Sequence, residues 1–277
     1  MNKQPIKIGV VAPACRLDPL VAEKVLAIAA ESYPDGRAQI MVHPQCYLSD
    51  GHFAGDDAAR AAAFVEVAND PTLDAVWFAR GGYGSCRILE AVIPRLEEAA
   101  RAKTFLGYSD MGSLLGALYR NGFGQAAHGP MVSDVRRHGG EAAVRRALAW
   151  LVDRDPAALE PSLAPGQKAA AFNITILGAL LGTPFAPDLT DHVLMLEEVS
   201  EQMYRIDRSL FHITNHSAIR RVAGIRLGRC SDIAPNDPDF AHTEVEVVAD
   251  WCARAGIPYL GRADIGHDVG NCVVPFG

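Results

Sequence analysis

Short runs of apolar residues alternate with segments whose apolar residues recur at helical spacing, and nothing else in the chain restricts its fold as much. Residues 6–12 are apolar apart from Lys7 and stop at Pro13, which predicts a strand buried on both faces; residues 20–30 then carry a helical repeat. A second strand at 38–42 leads through a loop with Pro44, Gly51 and Gly55 to an alanine-rich helix at 56–68. The pattern continues with a strand at 75–78, a Gly81-Gly82-Tyr83-Gly84 turn, helices at 86–91 and 93–101, a strand at 104–106, and helices at 111–118 and 141–152. Such alternation through short connections predicts an α/β fold, a parallel sheet covered on both faces, with ligand sites at the carboxyl ends of the strands. The turns at 81–84 and 107–110 both fall there.

At 277 residues the chain is long enough for one large or two modest domains. Pro156, Pro161, Pro165 and Gly166 interrupt all periodicity, so residues 156–167 are expected to link a domain at 1–155 to one at 168–277. The second part alternates helix 174–181, strand 192–196, helix 205–214, strand 222–227 and helix 244–255 before a glycine-punctuated tail. A formal charge of −7 speaks against nucleic acid as a partner, and Arg136-Arg137 and Arg220-Arg221 are too short to form a basic stripe. The six cysteines are scattered, with no C-x-x-C pair, and the start lacks an apolar segment long enough for a secretion signal. No stretch approaches the roughly 20 apolar residues of a membrane span. These features predict a cytoplasmic protein with reduced thiols and no membrane partner.

Gly107-Tyr108-Ser109-Asp110 lies between the strand at 104–106 and the helix at 111–118. A serine on a tight strand-to-helix turn projects its hydroxyl from the sheet edge and brings the next residue's N–H beside it, the geometry of a nucleophile with half an oxyanion hole. The same local sequence also suits Ser109 or Asp110 as a helix cap. A serine needs a base, usually a histidine oriented by a carboxylate. His267, flanked by Gly266 and Gly270, stands where the backbone can bend tightly and bring the ring close to another group. The apolar run 193–196 ends in Glu197-Glu198; neighbouring strand residues face opposite ways, so one of the two can serve, and periodicity leaves the choice open. Arg80-Gly81-Gly82-Tyr83-Gly84 offers bare backbone N–H groups as a second oxyanion donor, and matches neither G-x-G-x-x-G nor the P-loop. No H-E-x-x-H or H-x-H occurs, and His242 with Glu244 and Asp188 with His192 are isolated pairs, so neither metal nor cofactor is predicted.

Together these stretches resemble the LD-carboxypeptidases, serine peptidases that trim the cytoplasmic murein tetrapeptide, and their relatives that confer self-immunity to microcin C. The residues that carry the resemblance are Val11-Ala12-Pro13, Phe53-Ala54-Gly55-Asp56-Asp57, residues 74–84, Gly107-Tyr108-Ser109-Asp110, His128-Gly129-Pro130-Met131, Leu196-Glu197-Glu198-Val199, residues 204–208, and Gly266-His267 with Asn271. The resemblance implies Ser109 as nucleophile, His267 as general base and acid, Glu197 as the orienting carboxylate, and backbone N–H groups of Gly82 and Asp110 as oxyanion hole. It also implies a flavodoxin-like N-terminal domain, a smaller mixed α/β C-terminal domain, a site at their interface, a homodimer and no cofactor. Hydrolysis of the bond from the L-centre of diaminopimelate to a terminal D-alanine is then expected. A small anionic peptide substrate needs a cation, and Arg80, Arg205 and Arg208 are available; Gly81, Tyr83 and Asn173 complete the expected contacts.

Two rival functions stand beside this one: a microcin C-type immunity amidase acting on aminoacyl-nucleotide analogues, and a non-catalytic small-ligand-binding protein. The amidase needs a ring to stack a nucleobase. Trp77 falls in a strand and Trp150 and Trp251 in helices, which favours the murein substrate, with Tyr83 or Tyr204 as the loop rings able to substitute. Two departures from the family pattern stand out. Ala171-Phe172-Asn173-Ile174 replaces the usual Gly-Gly-Asn-Leu, and the sequence stops at Gly277, short of the further segment the resemblance leads one to expect.

Overall fold

The computed structural model describes residues 4–277, which form a six-stranded sheet, parallel but for its last strand, and a four-stranded parallel sheet. The first half runs β1 (Ile6–Val11), α1 (Pro19–Ser32), β2 (Ala38–Val42), α2 (Asp57–Asn69), β3 (Ala75–Phe78), α3 (Leu89–Val92), α4 (Glu98–Arg101), β4 (Thr104–Gly107), α5 (Gly112–Arg120), β5 (Gln125–His128) and α6 (Gly140–Leu148). The second runs β6 (Ala169–Asn173), α7 (Ile174–Leu180), β7 (Val193–Val199), α8 (Met203–Asn215), β8 (Gly224–Ser231), α9 (Glu244–Ala255), β9 (Tyr259–Arg262) and β10 (Val274–Pro275).

Local chemistry starts and stops these elements. Asp18 accepts from Leu20 N and Pro19 opens α1; Asp56 caps α2 through Ala59 N; Thr243 and Glu246 form a capping box on α9, which Gly256 ends in the left-handed conformation. In β3 and β4 every side chain is buried, the mark of a strand covered on both faces. Alternate residues divide between two cores: Val76 and Phe78 pack with α2 and α5, whereas Ala75 and Trp77 pack with α1 and α6.

The first sheet has the order β10-β5-β4-β3-β1-β2, so its parallel part follows the flavodoxin-like order, and β10 joins it antiparallel through Val274 opposite His128. The second sheet, β6-β7-β8-β9, is parallel throughout. The core that holds Met111, Leu114 and Leu115 of the first half also holds Phe172, Leu177 and Leu180 of the second, so apolar packing runs continuously between the sheets.

Three differences from the sequence expectation have local causes. The helix expected at 93–101 is split into a 3-10 turn (Ile93–Arg95) and α4, because Pro94 cannot donate and Leu96 becomes extended. β5 and β6 went unassigned because Gln125-Ala126-Ala127-His128 and Ala169-Ala170-Ala171 lack β-branched residues; in these crowded layers alanine is the side chain that fits. The tail after 255 contributes β9 and β10, short strands between glycines.

Candidate active site

Ser109 stands two residues beyond the end of β4, at φ +60°, in the left-handed region that a non-glycine residue occupies only under constraint. This bend lifts its side chain away from the sheet, and the residue is partly exposed between buried Tyr108 and buried Asp110. The glycine turn after β3 presses against it: a Cβ on Gly81 would lie 3.1 Å from the Ser109 Oγ and Cβ and 3.2 Å from the Met131 Cε. Gly82 (φ +108°) is exposed, and a Cβ there would come within 2.4 Å of the Cys15 Sγ. Backbone, with no side chain in front of it, therefore faces the serine from a second strand end.

His267 and Glu197 reach the same point from the second half of the chain. The His267 Nε2 lies 3.0 Å from the Ser109 Oγ, and its Nδ1 lies 2.5 Å from the Glu197 Oε2. With Nδ1–H donating to the carboxylate, the neutral ring presents Nε2 as an acceptor for the serine hydroxyl. Glu197 is fully buried, and its other oxygen has no hydrogen-bond partner among the described residues. The β7–β8 register shifts between Leu196 and Glu198, and across from it Gly228 clears the space that Glu197 fills: a Cβ on Gly228 would sit 3.0 Å from the Glu197 Cβ.

The adjacent acid does something else. Glu198 accepts from Asn173 Nδ2 (2.5 Å), Thr175 N (2.9 Å), Thr175 Oγ1 (2.8 Å) and Val199 N (2.9 Å), tying β7 to the start of α7; burial nonetheless raises its carboxyl above the ordinary range. The pair that periodicity left open is thus divided by geometry, one acid towards the imidazole and the other away from it.

A layer of buried groups holds the imidazole in place. The Tyr108 ring lies 4.8 Å, centroid to centroid, from that of His267, and the Tyr108 hydroxyl donates to the Asp134 Oδ1 at 2.8 Å. Burial and the Asp134 charge keep that phenol protonated far above its ordinary pKa. His128, wholly buried beside β10, donates from Nε2 to the Asn271 Oδ1 (3.0 Å), which also accepts from Gly266 N (3.1 Å). Burial pulls the pKa of His128 down to about 4, so the ring is neutral at pH 7. On the far side, Arg229 pairs with both Asp264 and Asp268 and so clamps the loop that carries His267. The supporting role of Tyr108, and Asp134 and Arg229 altogether, escaped the sequence reading, since no spacing marks a side chain that acts by support.

Other residues singled out in the sequence are spread more widely. Arg80 is half-buried next to Gly81, with one long bond to the Arg16 carbonyl (3.4 Å) and, among the described residues, no carboxylate partner. Tyr83 is half-exposed and clusters with the His52 and Phe53 rings at 6.3 and 6.1 Å. Asn173 is buried, bonded to Glu198 and capping α7 through Ile176 N. Arg205 is exposed on α8 and paired with Glu201 at 2.7 Å, and the Arg208 guanidinium lies 5.4 Å over the Tyr204 ring. Trp77 is fully buried, its Nε1 donating to the Pro130 carbonyl.

Comparison with known proteins matches residues 8–129 to the LD-carboxypeptidase N-terminal domain and residues 169–277 to the LD-carboxypeptidase C-terminal domain. A probable murein peptide carboxypeptidase of Bacillus subtilis is 29% identical, over 98% of this chain and 86% of its own. Among solved structures, the muramoyltetrapeptide carboxypeptidase of Oxalobacter formigenes superposes with a TM-score of 0.81 at 22% identity, covering 98% of this chain and 92% of that one. The microcin C7 self-immunity protein MccF, solved with aspartyl sulfamoyl adenosine, gives 0.80 at 17% identity over 99% and 92%.

Proposed function

The chain belongs to the LD-carboxypeptidase family, and from that premise we propose that it is a serine-type LD-carboxypeptidase that removes the terminal D-alanine of murein tetrapeptide in peptidoglycan recycling. The observation that carries this reading is the continuous line from buried Glu197 through His267 to the Ser109 hydroxyl, at 2.5 and 3.0 Å. The His267 Nε2 takes the Ser109 proton as Oγ attacks the carbonyl on the L-centre of diaminopimelate. Oxygen charge is received by the N–H groups of Gly82 and Asp110, from the two strand-end turns that meet at the serine. The imidazolium, stabilised by Glu197, then protonates the leaving amine, D-alanine departs, and water activated by the same nitrogen hydrolyses the acyl-enzyme.

Arg80 receives the terminal carboxylate. It adjoins Gly81 and is spared a carboxylate partner among the described residues, whereas Arg205 is committed to Glu201. Replacing Ser109 with alanine abolishes D-alanine release from murein tetrapeptide, followed by mass spectrometry, while the circular dichroism spectrum is unchanged; substantial residual turnover refutes the assignment.

One observation supports a second reading, an immunity-type amidase on aminoacyl-nucleotide analogues: the exposed Tyr83 ring with His52 and Phe53 beside the glycine turn offers a surface for a base to stack on. Incubation with tetrapeptide and with an aminoacyl sulfamoyl adenosine separates the two by the mass of the products. The same reading places the catalytic cleft between units at 1–155 and 168–277, in a cytoplasmic homodimer.

A further inference from the structure

The two oxyanion donors proposed above belong to different strand ends, Gly82 after β3 and Asp110 after β4, and the ladder between these strands closes at Trp77 opposite Leu106. Beyond that point side chains set the spacing of the turns. Ser85, fully buried at the end of the glycine turn, donates its N–H to the Asp110 Oδ2 at 2.8 Å and its hydroxyl to the Asp110 carbonyl at 2.5 Å. One residue earlier, the Gly84 carbonyl accepts from the Arg60 Nη1 at 2.9 Å, and the same nitrogen bonds the Pro13 carbonyl beyond β1. Arg60 is fully buried; its Nη2 pairs with Asp57, and its guanidinium lies 4.6 Å over the Phe53 ring. Gly84 (φ +134°) admits this approach, since a Cβ there would meet the Phe53 ring at 2.9 Å and the Arg60 Nη1 at 3.0 Å.

Burying a guanidinium is costly unless its donors and charge are met. Here the two terminal nitrogens of one planar fork meet two carbonyls on separate strand ends and a carboxylate, while Nε has no partner among the described residues; a shorter or more flexible cation cannot reproduce these contacts in one geometry. We infer that Arg60 and Ser85 are positioning residues: with Asp110 they form a brace from Pro13 through Gly84 to the nucleophile turn that fixes the two oxyanion amides relative to each other. The inference rests on the serine-hydrolase reading. Burial raises the Asp110 carboxyl above its ordinary range, with the Ser85 bonds and the Arg60 charge opposing, which fits an acid held inside this network.

An oxyanion hole acts on the transition state more than on bound substrate, so a loosened brace lowers kcat and spares KM. The test compares Arg60→Lys and Ser85→Ala with wild type, using D-alanine release for kcat and KM and a peptidyl boronic acid, which adds to the serine and places a B–O oxygen in the hole, for Ki. Loss of one oxyanion donor costs about a hundredfold, so displacing it should lower kcat at least about tenfold, with KM within about threefold and the boronate Ki weakened in step. Wild-type kcat in Arg60→Lys and Ser85→Ala, or reduced kcat with an unchanged boronate Ki, overturns the brace; should Arg60→Lys fail to fold, Ser85→Ala decides alone. A wild-type protein that neither releases D-alanine nor takes a fluorophosphonate label at Ser109 refutes the hydrolase reading, and the brace falls with it.

Discussion

Protonation of His128 should measurably weaken the fold, because this ring is buried between the nucleophile's sheet and the loop that carries His267. Burial holds its pKa near 4 against an ordinary 6.5; the Glu197 carboxylate opposes that shift, the Asn271 bond opposes it too, and the His267 ring adds to it. At about 1.4 kcal/mol per pH unit, the gap is worth about 3 kcal/mol when complete. The sign follows from proton counting. Below pH 6.5 the unfolded chain binds a proton at this position that the folded chain refuses, so stability falls as the pH drops towards 4 and the loss then levels off. Between pH 7.5 and 5.0 about 2 kcal/mol should disappear from this residue alone. His128→Gln keeps an N–H for the Asn271 Oδ1 and removes the titration. Urea unfolding of both proteins at the two pH values isolates the effect, since every other titrating group cancels in the comparison. Wild type should lose about 2 kcal/mol more than the variant; curves that run parallel to within about 0.5 kcal/mol refute the argument.

The two adjacent glutamates should separate by phenotype. Glu197→Gln removes the charge that stabilises the imidazolium and can turn an NH2 donor towards Nδ1, which selects the wrong tautomer, so it should lower kcat by about a thousandfold or more, whereas Glu198→Gln, which loosens the bonds to Asn173 and Thr175, should lower the melting temperature and leave kcat within a few-fold. The reverse pattern in kinetics and calorimetry would exchange their roles. Arg80→Gln should raise KM for a tetrapeptide with a free terminal carboxylate about tenfold or more and leave KM for its C-terminal amide unchanged, a loss of roughly 1.4 kcal/mol confined to one substrate; equal effects on both would remove Arg80 from carboxylate recognition.

Much of the first sheet was legible because β1, β3 and β4 are nearly continuous apolar runs and because α1 and α2 start at capping aspartates, Asp18 and Asp56. Two of the strands that escaped notice, β5 and β6, are built from alanine, where the layers on either side leave no room for a branched side chain, and the other two, β9 and β10, are short pieces in the glycine-punctuated tail. Ser109 stood out through its turn, and His267 through its glycines. The partition of Glu197 from Glu198 did not, because it depends on an irregular ladder and on the vacancy at Gly228 one strand away. Arg60 was equally hidden: it sits in an alanine-rich helix and reads as a surface arginine until α2 is laid against the end of β1. Pairwise spacing along a chain reports on faces, and these roles depend on which face meets which.

The chain passes from the first sheet to the second after α6 and returns from β9 to β10, so the two sheets are joined by two covalent crossings. His267 lies on the second crossing, between β9 and β10. Its imidazole is therefore carried by a segment anchored in both sheets, and its reach to Ser109 and Glu197 is set from either end.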